Sequence, residues 1–271
     1  MAMGKRGPAG RRGGMDPTVV SGYELRGGKV SVPPRQDARP VARTVPAHLP
    51  AVWSQAQWQA AITPVLPSLD LTLSEGQVQQ LAAYMVLLAH WNGTFNLTAL
   101  REPQDMLTHH LADCLAVLAP LDRHLAQRGL SAARLLDVGS GGGLPGVVLA
   151  IARPEVQVTC VDTVGKKAAF IRQVAAELKL SNLRAEHARV EQLKGAYDVI
   201  TSRAFASLAD FVSWSQNLLA PGAAWMAMKG KAPVDEQAQL PEWAEVFHVE
   251  PLGVPQLDAE RCVVWIRRRE K

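Results

Sequence analysis

Residues Leu135–Gly146 read LLDVGSGGGLPG. An apolar run ends at Val138, four glycines fall within the next five positions, and Pro145 stands where a helix would begin. Missing side chains let the backbone come close to a ligand, and the amides of a following helix terminus add free donors. Proline suits a first helical turn, where its absent N–H is not needed. The stretch therefore predicts a strand, a ligand-cradling turn and a helix, the opening unit of a parallel sheet.

Downstream of Leu130 the pattern agrees, because short β-rich runs alternate with amphipathic helical ones in the βαβ manner. Strands are expected at 134–138, 157–162, 183–188, 197–202, 223–229, 245–250 and 262–268, with helices near 146–152, 166–179, 207–219 and 233–240. The link LGVPQLDAER is too short for a crossover helix, so the last two strands should pair antiparallel. The expected fold class is α/β, a Rossmann-like seven-stranded sheet ending in an antiparallel hairpin over residues 131–271. Among doubly wound sheets this pattern is associated with methyltransferases that use S-adenosylmethionine (SAM).

Upstream, residues 49–130 read as a small helical cap. Trp53, Trp58, Ile62 and Leu66 are spaced for a short helix, although Pro64 and Pro67 interrupt it. Ser74 and Gln77 form a capping box ahead of Val78, Leu81, Met85 and Leu88, and Asn92 with Gly93 is expected to stop that helix. Further helical sequence starts at Pro103. Residues 1–48 are rich in Gly, Pro and Arg and are expected to be a disordered basic arm.

The charge is uneven. Residues 1–50 hold nine Lys/Arg against three Asp/Glu, a surplus of six, so the rest of the chain supplies −2 to the net +4. A basic arm attracts nucleic acid through phosphate contacts but equally suits a solvated extension. No run approaches the roughly 18 apolar residues of a membrane span, and no secretory signal is evident, so a cytoplasmic location is expected. Cys114, Cys160 and Cys262 lack metal-ligand spacing and read as small core residues; no metal site is expected.

Two glycine frames compete in the turn. Gly141, Gly143 and Gly146 satisfy the dinucleotide pattern G-x-G-x-x-G, but that frame starts late after the strand. The better-placed frame is Asp137-x-Gly139-x-Gly141-x-Gly143, which accommodates the amino-acid end of SAM. Asp162 ends the second strand, where a carboxylate accepts bonds from ribose hydroxyls. Val190 and Glu191, past the third strand, are placed to flank an adenine. Arg203, past the fourth, is placed for the SAM carboxylate, a substrate phosphate or loop ordering.

The strings HWNGTFNLTALREP, HHLADC, LLDVGSGGGLPG, IRQVAAELKL, ARVE, SRAFASL, MKG and VPQLDAERCVVWIRR occur in this order. Together they resemble the RsmG (GidB) family over roughly residues 70–268. That resemblance implies a SAM-dependent enzyme that methylates N7 of a guanine near position 527 of 16S rRNA. By it, Gly139, Leu144, Val190, Glu191 and Arg203 fall on SAM-contacting positions, with Asp162 as the ribose partner. Asn96, Arg101, His110 and Asp113 match polar positions near the mouth of the site, suited to RNA contact or loop ordering. His110 equally suits a structural histidine. Two features depart from the family pattern: Cys114 replaces a usual serine, and the first 50 residues have no counterpart.

Guanine N7 carries an in-plane lone pair, so its methylation needs placement rather than a general base. The candidates for a catalytic part are accordingly few: Arg203, Lys229 and His110, with Lys229 and Arg203 expected to steer RNA phosphates. The expected partner is 16S rRNA or the small ribosomal subunit, and the expected state is a monomer. A small-molecule methyltransferase, an NAD-dependent dehydrogenase using the other glycine frame, and a non-catalytic rRNA-binding protein are the rival readings.

Overall fold

The computed structural model describes residues 52–205 and 207–270; the expected disordered arm over 1–48 lies outside them. Helix α1 (Gln55–Ile62) begins at a Ser54 capping box and buries Trp58 and Ile62, and α2 (Val65–Ser68) follows Pro64. Helix α3 (Glu75–Phe95) starts at the Ser74–Gln77 capping box read from the sequence. It does not stop at Asn92 and Gly93. Buried Asn92 spends its side chain on the Leu100 carbonyl (2.9 Å) and the Thr98 amide (2.9 Å), while Asn96, in the left-handed conformation, ends the helix.

Helix α4 (Pro103–Met106) opens on a first-turn proline and runs into a π-helical segment, Leu107–Ala112, then α5 (Asp113–Leu115) and α6 (Leu118–Gln127). The wider π turn places His110 and Asp113 against the sheet end, a setting in which such segments recur.

Seven strands follow: β1 (Arg134–Val138), β2 (Gln157–Asp162), β3 (Leu183–His187), β4 (Tyr197–Arg203), β5 (Leu219–Lys229), β6 (Ala244–Pro251) and β7 (Cys262–Arg268). Interspersed are α7 (Gly146–Ala152), α8 (Gly165–Glu177), α9 (Leu208–Ser215) and α10 (Val234–Gln237). The strand order is β3-β2-β1-β4-β5-β7-β6, with β7 antiparallel to both β5 and β6. The expected α/β sheet and its closing hairpin are therefore present.

Differences in length have local causes. Strand β5 begins at Leu219 rather than 223, because Leu219 already pairs with Tyr197 before the register shifts and resumes at Ala224. Helix α9 tightens into a 3₁₀ turn after Ser215. Helix α10 covers only four residues of the expected eight, as it buries no side chain to sustain it.

Alternate strand residues feed two cores. Leu135, Val158, Met226 and Trp265 join helices α1, α3 and α6 to α8 on one face; Leu136, Ile200, Trp225 and Ile266 pack with α9 on the other. Two contacts tie α3 to the glycine turn and to the helix that follows it. Tyr84 donates from Oη to the Gly142 carbonyl (2.7 Å), and Gln77 Nε2 donates to the last carbonyls of α7, Ile151 and Ala152 (3.0 Å each). No helix among the described residues is long and apolar enough to cross a membrane.

Candidate active site

Two cavities open at the C-terminal ends of the parallel strands, where ligands bind in such sheets, and both are lined by Ala204. Ala204 adopts φ 51°, an uncommon left-handed conformation for a residue with a side chain. The chain bends there so that Arg203 lines one cavity and Phe205 the other. Such strain recurs at functional sites.

The first cavity has a volume of about 510 Å³ and lies over β1 to β3. Gly139, Asp162, Val190 and Glu191 line it as a group. Asp162 accepts from the Gly141 amide at Oδ2 (2.9 Å) and from the Val164 amide at Oδ1 (2.8 Å), with Lys167 Nζ 3.8 Å away. A carboxylate has about four acceptor positions, so capacity remains for hydroxyls of a ligand. Buried Asp137 accepts from the Gly146 amide through Oδ2 (2.9 Å), while its Oδ1 has no partner among the described residues. Burial pushes its carboxyl up to about 7, against the lowering effects of the Gly146 amide and the Arg203 charge. Gly146 has no room for a side chain, since a Cβ there would lie 2.8 Å from Asp137 Oδ2.

Gly141, Gly143 and Leu144 shape the turn from behind and do not line this cavity. Leu144 is buried, and its amide donates to the Ser140 carbonyl. Lys167, Phe205 and Trp214 do line the cavity and were not singled out from the sequence. The Phe205 and Trp214 rings meet edge to face at 5.7 Å, and Phe205 lies over Gly139. The only sequence signal for Phe205 and Trp214 is the run of three aromatics, Phe205, Phe211 and Trp214, following Arg203 in SRAFASLADFVSW.

The second cavity, about 380 Å³, is lined by His110, Asp113, Arg203, Lys229, Arg261 and Cys262 among others. Asp113 is its hub. One oxygen accepts from Arg261 Nε (3.1 Å) and the other from Arg203 Nη1 (3.3 Å), which also donates to the His109 carbonyl (2.9 Å). Arg203 is thus directed to the second cavity rather than into the first. Burial and the Arg203 charge lower His110 to about 4, so at neutral pH it is an uncharged ring held by Thr98 Oγ1 (2.5 Å). Lys229 is bidentate to Glu236 (2.8 and 3.0 Å) on the cavity rim. Asn96 and Arg101 bond each other on the surface (2.8 Å) and line neither cavity. Arg261, at the start of β7, was missed because its role comes only from the fold that carries it to Asp113.

These residues fit SAM: an acidic end of β2, apolar walls from Val138, Val161 and Val190, and a Gly139 backbone bare of any side chain. A sequence model of the family described as rRNA small subunit methyltransferase G (GidB) matches residues 77–264, which include every residue lining both cavities. The chain belongs to the rRNA small subunit methyltransferase G family. A relative so named from Acidovorax sp. (strain JS42) is 58% identical over 222 residues, covering 80% of this chain and 98% of the relative. Another, from Polaromonas naphthalenivorans (strain CJ2), is 59% identical over 203 residues, 74% of this chain and 92% of its own length. Among solved structures, TrmN from Thermus thermophilus overlaps 81% of each chain with 14% identity and a TM-score of 0.46. Family membership and the two adjoining cavities therefore concern the same part of the chain.

Proposed function

We propose that this protein is a SAM-dependent rRNA methyltransferase acting on N7 of a guanine, near position 527, in 16S rRNA. The observation that carries the reading is the pair of cavities meeting at Ala204, within a chain of the small subunit methyltransferase G family. In it, Asp162 holds the ribose, Val190 and Glu191 flank the adenine, and Gly139 lets the amino-acid portion approach the backbone. The second cavity receives the guanine, with His110, Asp113, Arg203 and Lys229 around it; Asn96 and Arg101 contact RNA further out.

When bound, SAM supplies an electrophilic methyl group. The chain's own task is placement, since the N7 lone pair needs no base to expose it. His110, lowered to about 4 and uncharged at neutral pH, is only a weak base, in keeping with a reaction that needs none. Aligning two reactants in a near-attack geometry is able to supply roughly 7–11 kcal/mol. Arg203, fixed by Asp113, gives this site a rigid cation for a phosphate or carboxylate. The protein is further expected to act as a cytoplasmic monomer, with residues 49–130 as a helical cap.

The test is to map N7-methylguanine in 16S rRNA from cells with and without the gene, together with methyl transfer from labelled SAM to purified rRNA and to metabolite extract. Loss of one modified guanine and labelling of rRNA are expected. Labelling of extract alone would transfer the assignment to a small-molecule substrate.

A further inference from the structure

We propose that the hollow at the opposite end of the sheet is a docking site for the RNA phosphodiester backbone; this rests on the rRNA reading above. The hollow, about 540 Å³, lies between the turn before the main run of β5 and the last residues of β7, where Arg267, Arg268 and Arg269 stand in succession. Gly222, at φ +70°, forms part of its wall. The Arg128 guanidinium lies against that glycine: a Cβ there would be 3.1 Å from Arg128 Nη2, and Arg128 Nη1 has no acceptor among the described residues.

Three guanidinium groups thus line one hollow, with Arg128 packed against its Gly222 wall, facing the carboxylates of Glu245 and Glu270. Glu245 is shared, at 2.8 Å from Arg267 Nε and 3.9 Å from Arg269 Nε, so the region keeps a positive surplus. Arg268 is held in place from two sides, donating to the Gln216 carbonyl (2.7 Å) and lying 5.4 Å over the Trp243 ring. A pre-ordered array of planar, permanently charged forks suits phosphate oxygens, and each neutralised phosphate releases counterions.

Strand β5 connects this hollow with the candidate active site, since Leu219 lines the hollow and Lys229 the second cavity. At about 3.3 Å per residue its eleven residues span roughly 30 Å. Only an extended RNA reaches both ends, so the hollow should matter for long substrates and not for a short hairpin carrying the target guanine.

The experiment compares the full-length protein with Arg269→Glu and with the double variant Arg268→Gln/Arg269→Glu. Arg269 has a side chain more than half exposed, so the single variant keeps the test valid if the double one misfolds. At about 0.1 M salt the variants should bind unmodified 16S rRNA about tenfold more weakly, with a salt slope shallower by about one to two units. Affinity for SAM and methylation of the short hairpin should stay unchanged. Wild-type methylation of rRNA together with unchanged rRNA affinity in Arg269→Glu would overturn this proposal alone. Inorganic phosphate binding that the variants lose without any change in rRNA affinity would also overturn it, marking a small-anion site. Failure of the wild type to bind or methylate rRNA would sink the functional reading, and this one with it.

Discussion

The ring of Phe205 lies over Gly139 so closely that a Cβ on the glycine would sit 2.5 Å from Phe205 Cδ2. Gly139 also holds φ +71°, which an L residue rarely adopts. Gly139→Ala should therefore lower stability by about 1–3 kcal/mol in urea denaturation and weaken SAM binding. Adding Phe205→Ala should recover part of the stability, because the clash goes while the backbone strain stays. Simple additivity of the two substitutions would disprove the coupling.

A ligand that reaches the Gly139 backbone meets that ring, and Trp214 is its edge-to-face neighbour at 5.7 Å and 41% exposed. Titration with SAM should change tryptophan fluorescence, and Trp214→Phe should remove most of the change. A signal that persists in the variant would place the ligand elsewhere.

Asp137 should give stability a pH dependence of its own. Its folded value of about 7 lies above the ordinary 3.8, so the folded state binds more protons than the unfolded state between those values. The associated stability is complete below about pH 4 and lost as pH rises through 7, by an amount on the order of a few kcal/mol. His110, lowered to about 4, acts in the opposite sense between about pH 4 and 6.5. The difference between wild type and Asp137→Asn, measured by denaturation from pH 4 to 8, isolates the aspartate. The variant should gain relative stability as pH rises; a constant difference would show that Asp137 does not titrate in this range.

Asp113 separates two guanidinium groups, and its side chain is 5% exposed. Asp113→Ala leaves Arg203 and Arg261 facing each other without a counter-charge and should cost about 3 kcal/mol. Asp113→Asn should cost less. Urea midpoints give the order, and equal midpoints for wild type and Asp113→Ala would show that the pair is replaced by solvent.

Gln77 serves two helices, since its Oε1 accepts from the Ser74 amide (2.9 Å) while its Nε2 donates to the end of α7. Ser74→Ala should cost about 1 kcal/mol as a lost N-cap. Gln77→Ala should cost more, about 2 kcal/mol, because carbonyls of α7 lose their partner as well. Thermal unfolding ranks the two; the reverse order would reduce Gln77 to a local cap.

The sequence carried the sheet because its central strands have runs of apolar residues bounded by turns, and the Ser74–Gln77 cap because its spacing is local. It misplaced the end of α3, since Asn92 was read as a breaker when its burial turns it into a bracket for Thr98 and Leu100. Of the first cavity, Gly139, Asp162, Val190 and Glu191 lie near their motifs and are legible, while Lys167, Phe205 and Trp214 are not. Of the second, His110, Asp113, Arg203 and Lys229 are named from their motifs, but Arg261 is not, because it meets Asp113 across 148 positions and only the antiparallel return of β7 brings them together. The sequence leaves Arg203 open to the SAM carboxylate, a substrate phosphate or loop ordering, because the bend at Ala204 that directs it to Asp113 leaves no mark in composition or periodicity.

The bond from Tyr84 to the Gly142 carbonyl spans 58 positions, and a Cβ at Gly142 would meet Leu88 Cδ1 at 2.9 Å. The glycine-rich motif is therefore only half of the device, its outer mould being the third and fourth turns of α3. A chimera that transplanted residues 135–146 into another sheet without that helix would inherit the letters of the motif and lose the shape they take here.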